Sequence, residues 1–271
     1  MKLTARTSVS VALLVLLGAS TGCDKLKSRD QINKGVAAFK NAQYEEAVSN
    51  FQTAVRLDPT SENAKLYLAT SYAYQVVPNL LTPENLDFAQ KALDGFNEVL
   101  AKSPDDLTAL KQVASIDRNI QKFDEAKAYE LKVIKVAPDD PEAYYIVAVL
   151  DWTLSYKNAV AILAADGLTD DGSGNKKMTK GACAKMQTAN TALTNEGLQF
   201  LNKAVDLNPT YDDAMQYIQL TYRRKADLEC GNEPARKDDM SQVDLWSNKA
   251  MGARKANELK KEQKLGGGVT M

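Results

Sequence analysis

The chain has 271 residues, 44% of them hydrophobic and 25% charged, with 34 Lys and Arg against 35 Asp and Glu. This is the composition of a soluble globular protein long enough to bury a sizeable core, and its near-balanced charge gives no reason to expect nucleic acid as a partner. There is no histidine, which excludes every histidine-dependent triad and zinc site; three cysteines are too few for a thiolate metal site, so no cofactor or metal is expected.

Lys2 and Arg6 precede an apolar run from Val9 to Gly18, broken only by Ser10, and small residues lead from Ala19 to Gly22 and Cys23. A charged start, a short apolar centre and a small-residue exit describe a secretory signal peptide over residues 1–22. The run is shorter than the roughly 20 residues that span a bilayer, and the alternative is a short buried helix. Ser20-Thr21-Gly22-Cys23 resembles the lipobox of bacterial lipoproteins. The resemblance implies that Cys23 becomes a lipidated N-terminus, that residues 23–29 form a linker, and that the chain is anchored on the periplasmic face of the cell envelope. Several acyl chains on one residue give stable anchoring. Asp24 resembles the inner-membrane retention signal of enteric lipoproteins; that rule varies among bacteria, so either membrane stays open.

Beyond the signal, Gly35 to Pro59 is one structural unit that the chain repeats in edited form. Helix-like apolar runs end at Pro59, Pro104, Pro138 and Pro209. Twelve residues before each proline stand Ala47, Ala92, Ala126 and Gly197; eight before stand Phe51, Phe96, Glu130 and Leu201; five before stand Ala54, Val99, Val133 and Ala204. A small residue at the first of these positions in all four copies is the signature of two helices meeting closely. Pro104 to Pro138 is 34 residues, Pro59 to Pro104 carries an extra 11, and Pro138 to Pro209 an extra 37. A 34-residue helix–turn–helix period with Ala-x3-Phe and a closing proline resembles the tetratricopeptide repeat, TPR, as does Leu68-Ala69-x2-Tyr72 for its first helix. The implied fold is all-α: a TPR-type α-solenoid of about five helix pairs over residues 30–262, with insertions in units two, four and five and a flexible tail over 263–271.

In chain order, unit one pairs a helix near residues 29–41 with one near 44–57. Unit two runs from about Glu62 to Val77 and from Pro83 to Ala101, with Thr82 as N-cap and Pro83 at the first helical position. Unit three is Asp106–Ile120 and Phe123–Val136. Unit four opens at Pro141, runs past Trp152, and breaks at Asp170-Asp171-Gly172-Ser173-Gly174-Asn175, a loop by composition whose glycine and glutamate positions do not fit an EF-hand. A helix resumes near Cys183 and ends at Asn208. Unit five runs from Asp212 to about Leu228, breaks at 230–234, and resumes near Asp239. Cys183 and Cys230 both lie at inter-helix breaks of adjacent units. In an oxidising compartment the pair is expected to form a disulfide, the alternative being two buried thiols.

In the TPR family the concave face, lined by first helices, binds an extended peptide or a helix. Aligning the units places Asn33, Phe39, Tyr67, Tyr74, Gln112, Arg118, Asn119, Tyr145, Trp152, Tyr217, Arg223 and Arg224 there. The protein-binding candidates are Tyr67, Tyr74, Arg118, Asn119, Trp152, Tyr217, Arg223 and Arg224, because Tyr, Trp and Arg are the types enriched at binding hot spots. Phe39 and Tyr145 are read as core packing. The Lys and Asn set with which some TPR domains hold a C-terminal carboxylate does not line up around Lys111. Asp105-Asp106, Asp139-Asp140 and Asp212-Asp213 could suggest acid chemistry but sit where acids favour the start of the next helix, so no enzyme is expected. The reading is a membrane-anchored scaffold for envelope proteins. It is similar in architecture to lipoproteins of outer-membrane barrel assembly and of type IV pilus secretin assembly; a structural homo-oligomer is the alternative.

Overall fold

The computed structural model describes residues 23–266. The expected signal over 1–22 and residues 267–271 of the expected tail lie outside the described residues. Within them the chain forms ten helices: α1 (residues 23–40), α2 (Tyr44–Leu57), α3 (Glu62–Ala73), α4 (Pro83–Lys102), α5 (Leu107–Asn119), α6 (Phe123–Val136), α7 (Pro141–Ala165), α8 (Lys180–Leu207), α9 (Asp212–Ala226) and α10 (Glu233–Gly266). The contacts divide into two compact units, one up to Ala126 and one from Lys127, so that the division falls within α6.

The helix boundaries follow local chemistry. Ser61, Thr82, Asp106 and Thr179 accept a hydrogen bond from the backbone N–H three residues on, and Asp140 from the N–H two residues on. Such caps satisfy donors that the first turn leaves open. Helices α2, α4, α6 and α8 each end two residues before a repeat proline, which cannot continue a helix. Two expected boundaries move. Helix α3 stops at Ala73 rather than Val77, because Pro78 disfavours helix before it and buried Asn85 takes the Val77 N–H at 2.7 Å. Helix α10 starts at Glu233 rather than Asp239, since Pro234 suits a first turn. The segment expected to be a linker, 23–29, is instead helical: Ser28 is buried and donates to the Ala54 carbonyl at 2.9 Å. Residues 263–266 continue α10.

In the first unit, the small residues of the repeat do what their spacing predicts. Ala47, Ala92 and Ala126 are wholly buried, as are Phe51 and Phe96 eight residues before their prolines. Ala38, Ala47 and Phe51 form a cluster closed by Ile32, Val36, Phe39 and Leu68. At Gly35 a Cβ would lie 2.6 Å from the Phe51 ring, so only glycine lets α1 come this close. The turns α1–α2 and α5–α6 are copies: Ala42 and Gln121 take φ of 58° and 62°, and the N–H groups of Gln43 and Lys122 return to carbonyls of Ala38 and Asp117.

In the second unit, α7 and α8 extend well beyond repeat length. Their clusters include Tyr144, Ala148, Leu201, Ala204, Ala214 and Ile218, and, farther along, Ala159, Leu163, Met186 and Leu228. Helix α7 is long and apolar enough to cross a bilayer. Here it is a core helix, burying nine residues including Asp151. The Lys127 ammonium joins three helices, at 2.6 Å from Asp151 and 2.7 Å from Glu196. Burial pushes the Asp151 carboxyl up to about 6 against the pull of Lys127. Burial also opposes charge on Lys127, but hydrogen bonds to both carboxylates outweigh it and hold its pKa above the ordinary value.

The first unit can be tested at two buried positions. Ala47→Asp places a charge between packed helices and should cost about 3 to 5 kcal/mol of stability, read by urea denaturation monitored by circular dichroism. Buried Asp117 is pushed up to about 6 by desolvation, opposed by Lys122 and reinforced by Glu125. Its folded pKa exceeds the unfolded value of about 4, so its ionisation lowers stability as pH rises through 6. Asp117→Asn should therefore be the more stable chain above pH 6, by about 2 to 3 kcal/mol at most, with the gap closing below pH 4; a constant gap would contradict this.

Candidate protein-binding face

The second unit presents the fuller face. Along α7, Tyr145, Val149, Trp152, Tyr156 and Val160 recur at spacings of three and four, all half-buried or exposed, which places them on one side of the helix. Aromatic rings continue this stripe onto α9. Trp152 stacks on Tyr156, with centroids 5.3 Å apart and planes within 10°. Tyr217 stands edge-on to Trp152 at 5.4 Å and to Tyr145 at 5.5 Å, and Tyr211 meets Tyr145 at 5.1 Å. Burial raises the Tyr217 phenol, with Asp213 adding to it, and pushes Tyr211 up to about 12, so both remain neutral hydroxyls. The face offers large aromatic area with polar handles.

In the first unit, Tyr74 is 57% exposed and packs on Phe39 at 4.8 Å and Tyr44 at 5.5 Å. Tyr67 leans on Phe51 and, with Asn33, lines a cleft of about 720 Å³ between the first turns of α1 and α3. Gln112, Arg118 and Asn119 are half-buried on α5, and the Asn119 carbonyl accepts the Asn79 N–H at 2.8 Å. The expected residues thus gather as Phe39 with Tyr74, and as Tyr145, Trp152 and Tyr217; Phe39 and Tyr145, read as core packing, are half-buried, each packed against its unit's core while joining these ring contacts. Tyr156, Val160 and Tyr44 belong to these faces and were not expected. The signal for the first two was in the sequence, as the continuation of the Tyr145–Trp152 spacing, but it lies beyond the length of one repeat helix.

Arg224 is a correction. It is 3% exposed and cannot meet a partner. Its guanidinium lies 2.8 Å from Asp170 and 3.1 Å from Asp227, within the core of the unit. Asn175 donates to Asp227 at 2.7 Å and accepts from the Asp171 N–H, while Asp170 and Asp171 accept the loop's own N–H groups at Gly172, Ser173 and Asn175. A guanidinium and backbone donors therefore occupy the loop carboxylates that a calcium loop would turn toward its ion. Burial pushes the Asp227 carboxyl up to about 6, against Arg224 and Asn175. Gly174, at φ 89°, is required: a Cβ there would meet the Arg236 side chain at 2.8 Å and the Ala226 carbonyl at 3.0 Å. Lys225, the next residue, is held by Asp239 at 2.7 Å. Arg223, like Lys225, is half-buried, and it lies beside Gly172.

Cys183 and Cys230 are within disulfide distance, their Cα atoms 6.0 Å apart. They line a cleft of about 510 Å³ between the insertion and the start of α10. Asp106 and Asp140 cap helices, and Arg254 reaches Asp212 at 2.8 Å and Asp213 at 3.4 Å.

The tetratricopeptide repeat profile matches residues 31–61. Among curated protein sequences none is similar to the chain. Among solved structures, the fold is similar to MamA, residues 41 to end, from Desulfovibrio magneticus RS-1, at TM-score 0.55 and 17% identity over 85% of this chain and 96% of that one. It is also similar to a second MamA crystal structure, at TM-score 0.56 and 12% identity over 90% and 97% of the two chains.

Arg224→Met should cost about 3 to 5 kcal/mol at neutral pH, because Asp170 and Asp227 lose their buried cation. The cost should shrink in mild acid, where Asp227 is protonated; a pH-independent loss would mean that packing alone was removed. Intact mass should rise by two hydrogens on reduction if Cys183 and Cys230 are bridged, and an unchanged mass would exclude the bridge. By these features the chain is an all-α, TPR-type α-solenoid carrying a tetratricopeptide repeat at residues 31–61.

Proposed function

We propose that this protein is a membrane-anchored, extracytoplasmic scaffold that binds segments of other envelope proteins on its first-helix faces and carries no catalytic site. The observation that supports this best is the aromatic stripe of α7 and α9. Trp152, Tyr156 and Tyr217 are only partly buried and are braced by one another rather than by a covering helix. From Tyr145 to Val160 the stripe runs about 22 Å along α7, long enough for a helical segment of four turns or a short extended one. Arg223 on α9, half-buried beside Gly172, supplies a cation for an acidic side chain of the bound segment. Lipidation of Cys23, read from the sequence, is compatible with the exposed position of that residue at the start of α1.

The test is cross-linking in the native envelope with identification of the captured protein. Trp152→Ala combined with Arg223→Glu should abolish capture while leaving the helical circular dichroism unchanged; capture that survives would place binding elsewhere. Cys23→Ser should move the protein from the membrane pellet to the soluble fraction, and retention in the pellet would exclude the lipid anchor.

A further inference from the structure

The lipid anchor proposed at Cys23, on which this inference rests, leads directly into a helix and not into a tether. Helix α1 runs without a break from residue 23 to residue 40. It is fixed to α2 within two turns of Cys23, by buried Ser28 and its hydrogen bond to the Ala54 carbonyl. The anchored residue and the body of the first unit are therefore one rigid piece.

The chemistry of that edge suits a lipid surface. Leu26 is 70% exposed, the highest value among the large hydrophobic side chains of the described residues. Lys25 and Arg29 are exposed, with no ion-pair partner among the described residues, whereas Lys27 is paired with Asp24 and Asp30 with Lys34. Lys25, Leu26 and Arg29 border the cleft of about 720 Å³ that Asn33, Asn63 and Ser61 line with hydrogen-bonding groups. The acid in that cleft, Asp58, is turned to Thr60, whose hydroxyl and N–H it accepts at 2.6 and 3.2 Å.

Covalent geometry sets the distance to the bilayer. At 1.5 Å per residue, Leu26 lies about 4.5 Å and Arg29 about 9 Å along the axis from Cys23. The headgroup layer on one side of a bilayer is roughly 5 to 8 Å deep. With acyl chains on Cys23, Lys25 and Leu26 lie within the depth of that layer even with the helix upright, and Arg29 enters it once the helix tilts.

We propose that this edge of the first unit is a lipid-contact surface, with Leu26 seated among the acyl chains near the interface and Lys25 and Arg29 on phosphates of anionic phospholipid headgroups. The contact turns a lipid anchor into a fixed orientation. Lys40, at the other end of α1, is held about 25 Å along the axis from the anchor.

The experiment uses the lipidated chain reconstituted in phosphatidylcholine vesicles, with and without phosphatidylglycerol, after mass spectrometry of its N-terminal peptide. A bimane label is placed at Lys27→Cys or, as the distant control, Lys40→Cys, and brominated-acyl phospholipid serves as quencher. The label at position 27 should be quenched several-fold more than the label at position 40. Leu26→Asp with Arg29→Glu should weaken that quenching, most in vesicles with phosphatidylglycerol, and a Gly-Ser linker inserted after Cys23 should equalise the two labels while the protein stays bound. Equal quenching without the linker overturns the seated edge and leaves the anchor standing. A Cys23 without acyl chains overturns both.

Discussion

Everything in this fold depends on how closely its helices approach. Ala47, Ala92 and Ala126 are wholly buried where the helices of a pair meet, and Gly197 holds the corresponding place in the elongated pair. A Cβ at Gly197 would sit 3.6 Å from that of Asp151, an ordinary contact, so the position would take the alanine of the other copies. Close approach lets phenylalanine or leucine one turn later reach the neighbouring helix, and that contact aligns the first helices whose outer side chains form the candidate faces.

The second unit departs from the template in a way that the binding face uses. Lengthening α7 carries the aromatic stripe past one repeat, to Tyr156 and Val160. The cost is an insertion that must be held down, and its fastening is polar: Arg224 between Asp170 and Asp227, Asn175 on Asp227, and Lys225 on Asp239. Cys183 and Cys230 lie at the outer edge of the same junction. A buried charge is tolerated only when paired and hydrogen-bonded, so these residues belong to the scaffold rather than to its surface.

The repeat was legible because its signals are local. Prolines end helices, capping side chains begin them, and small residues recur at a fixed distance from the proline. The first five helix boundaries after α1 needed little more, and α3 ended early where Pro78 disfavours helix and the side chain of Asn85, eight residues from Val77, took the Val77 N–H. Arg224 was misplaced for a different reason. Its neighbours in sequence are surface-like, and its partner Asp170 lies 54 residues earlier, a separation at which periodicity carries no information. The linker expected after Cys23 failed similarly: Ser28 looks solvent-facing until Ala54, on another helix, offers its carbonyl.

By itself the sequence determined the helix pairs, their order, the residues that let them pack, and the aromatic character of the first-helix stripe, because each rests on side chains within a few turns of one another. Only the tertiary structure decided which charged residues are interior, that two distant cysteines stand within bonding distance, and that residues 23–29 are helical and pinned through Ser28 to Ala54. These are contacts between residues far apart in the chain, set by packing, and packing is a property of the folded whole.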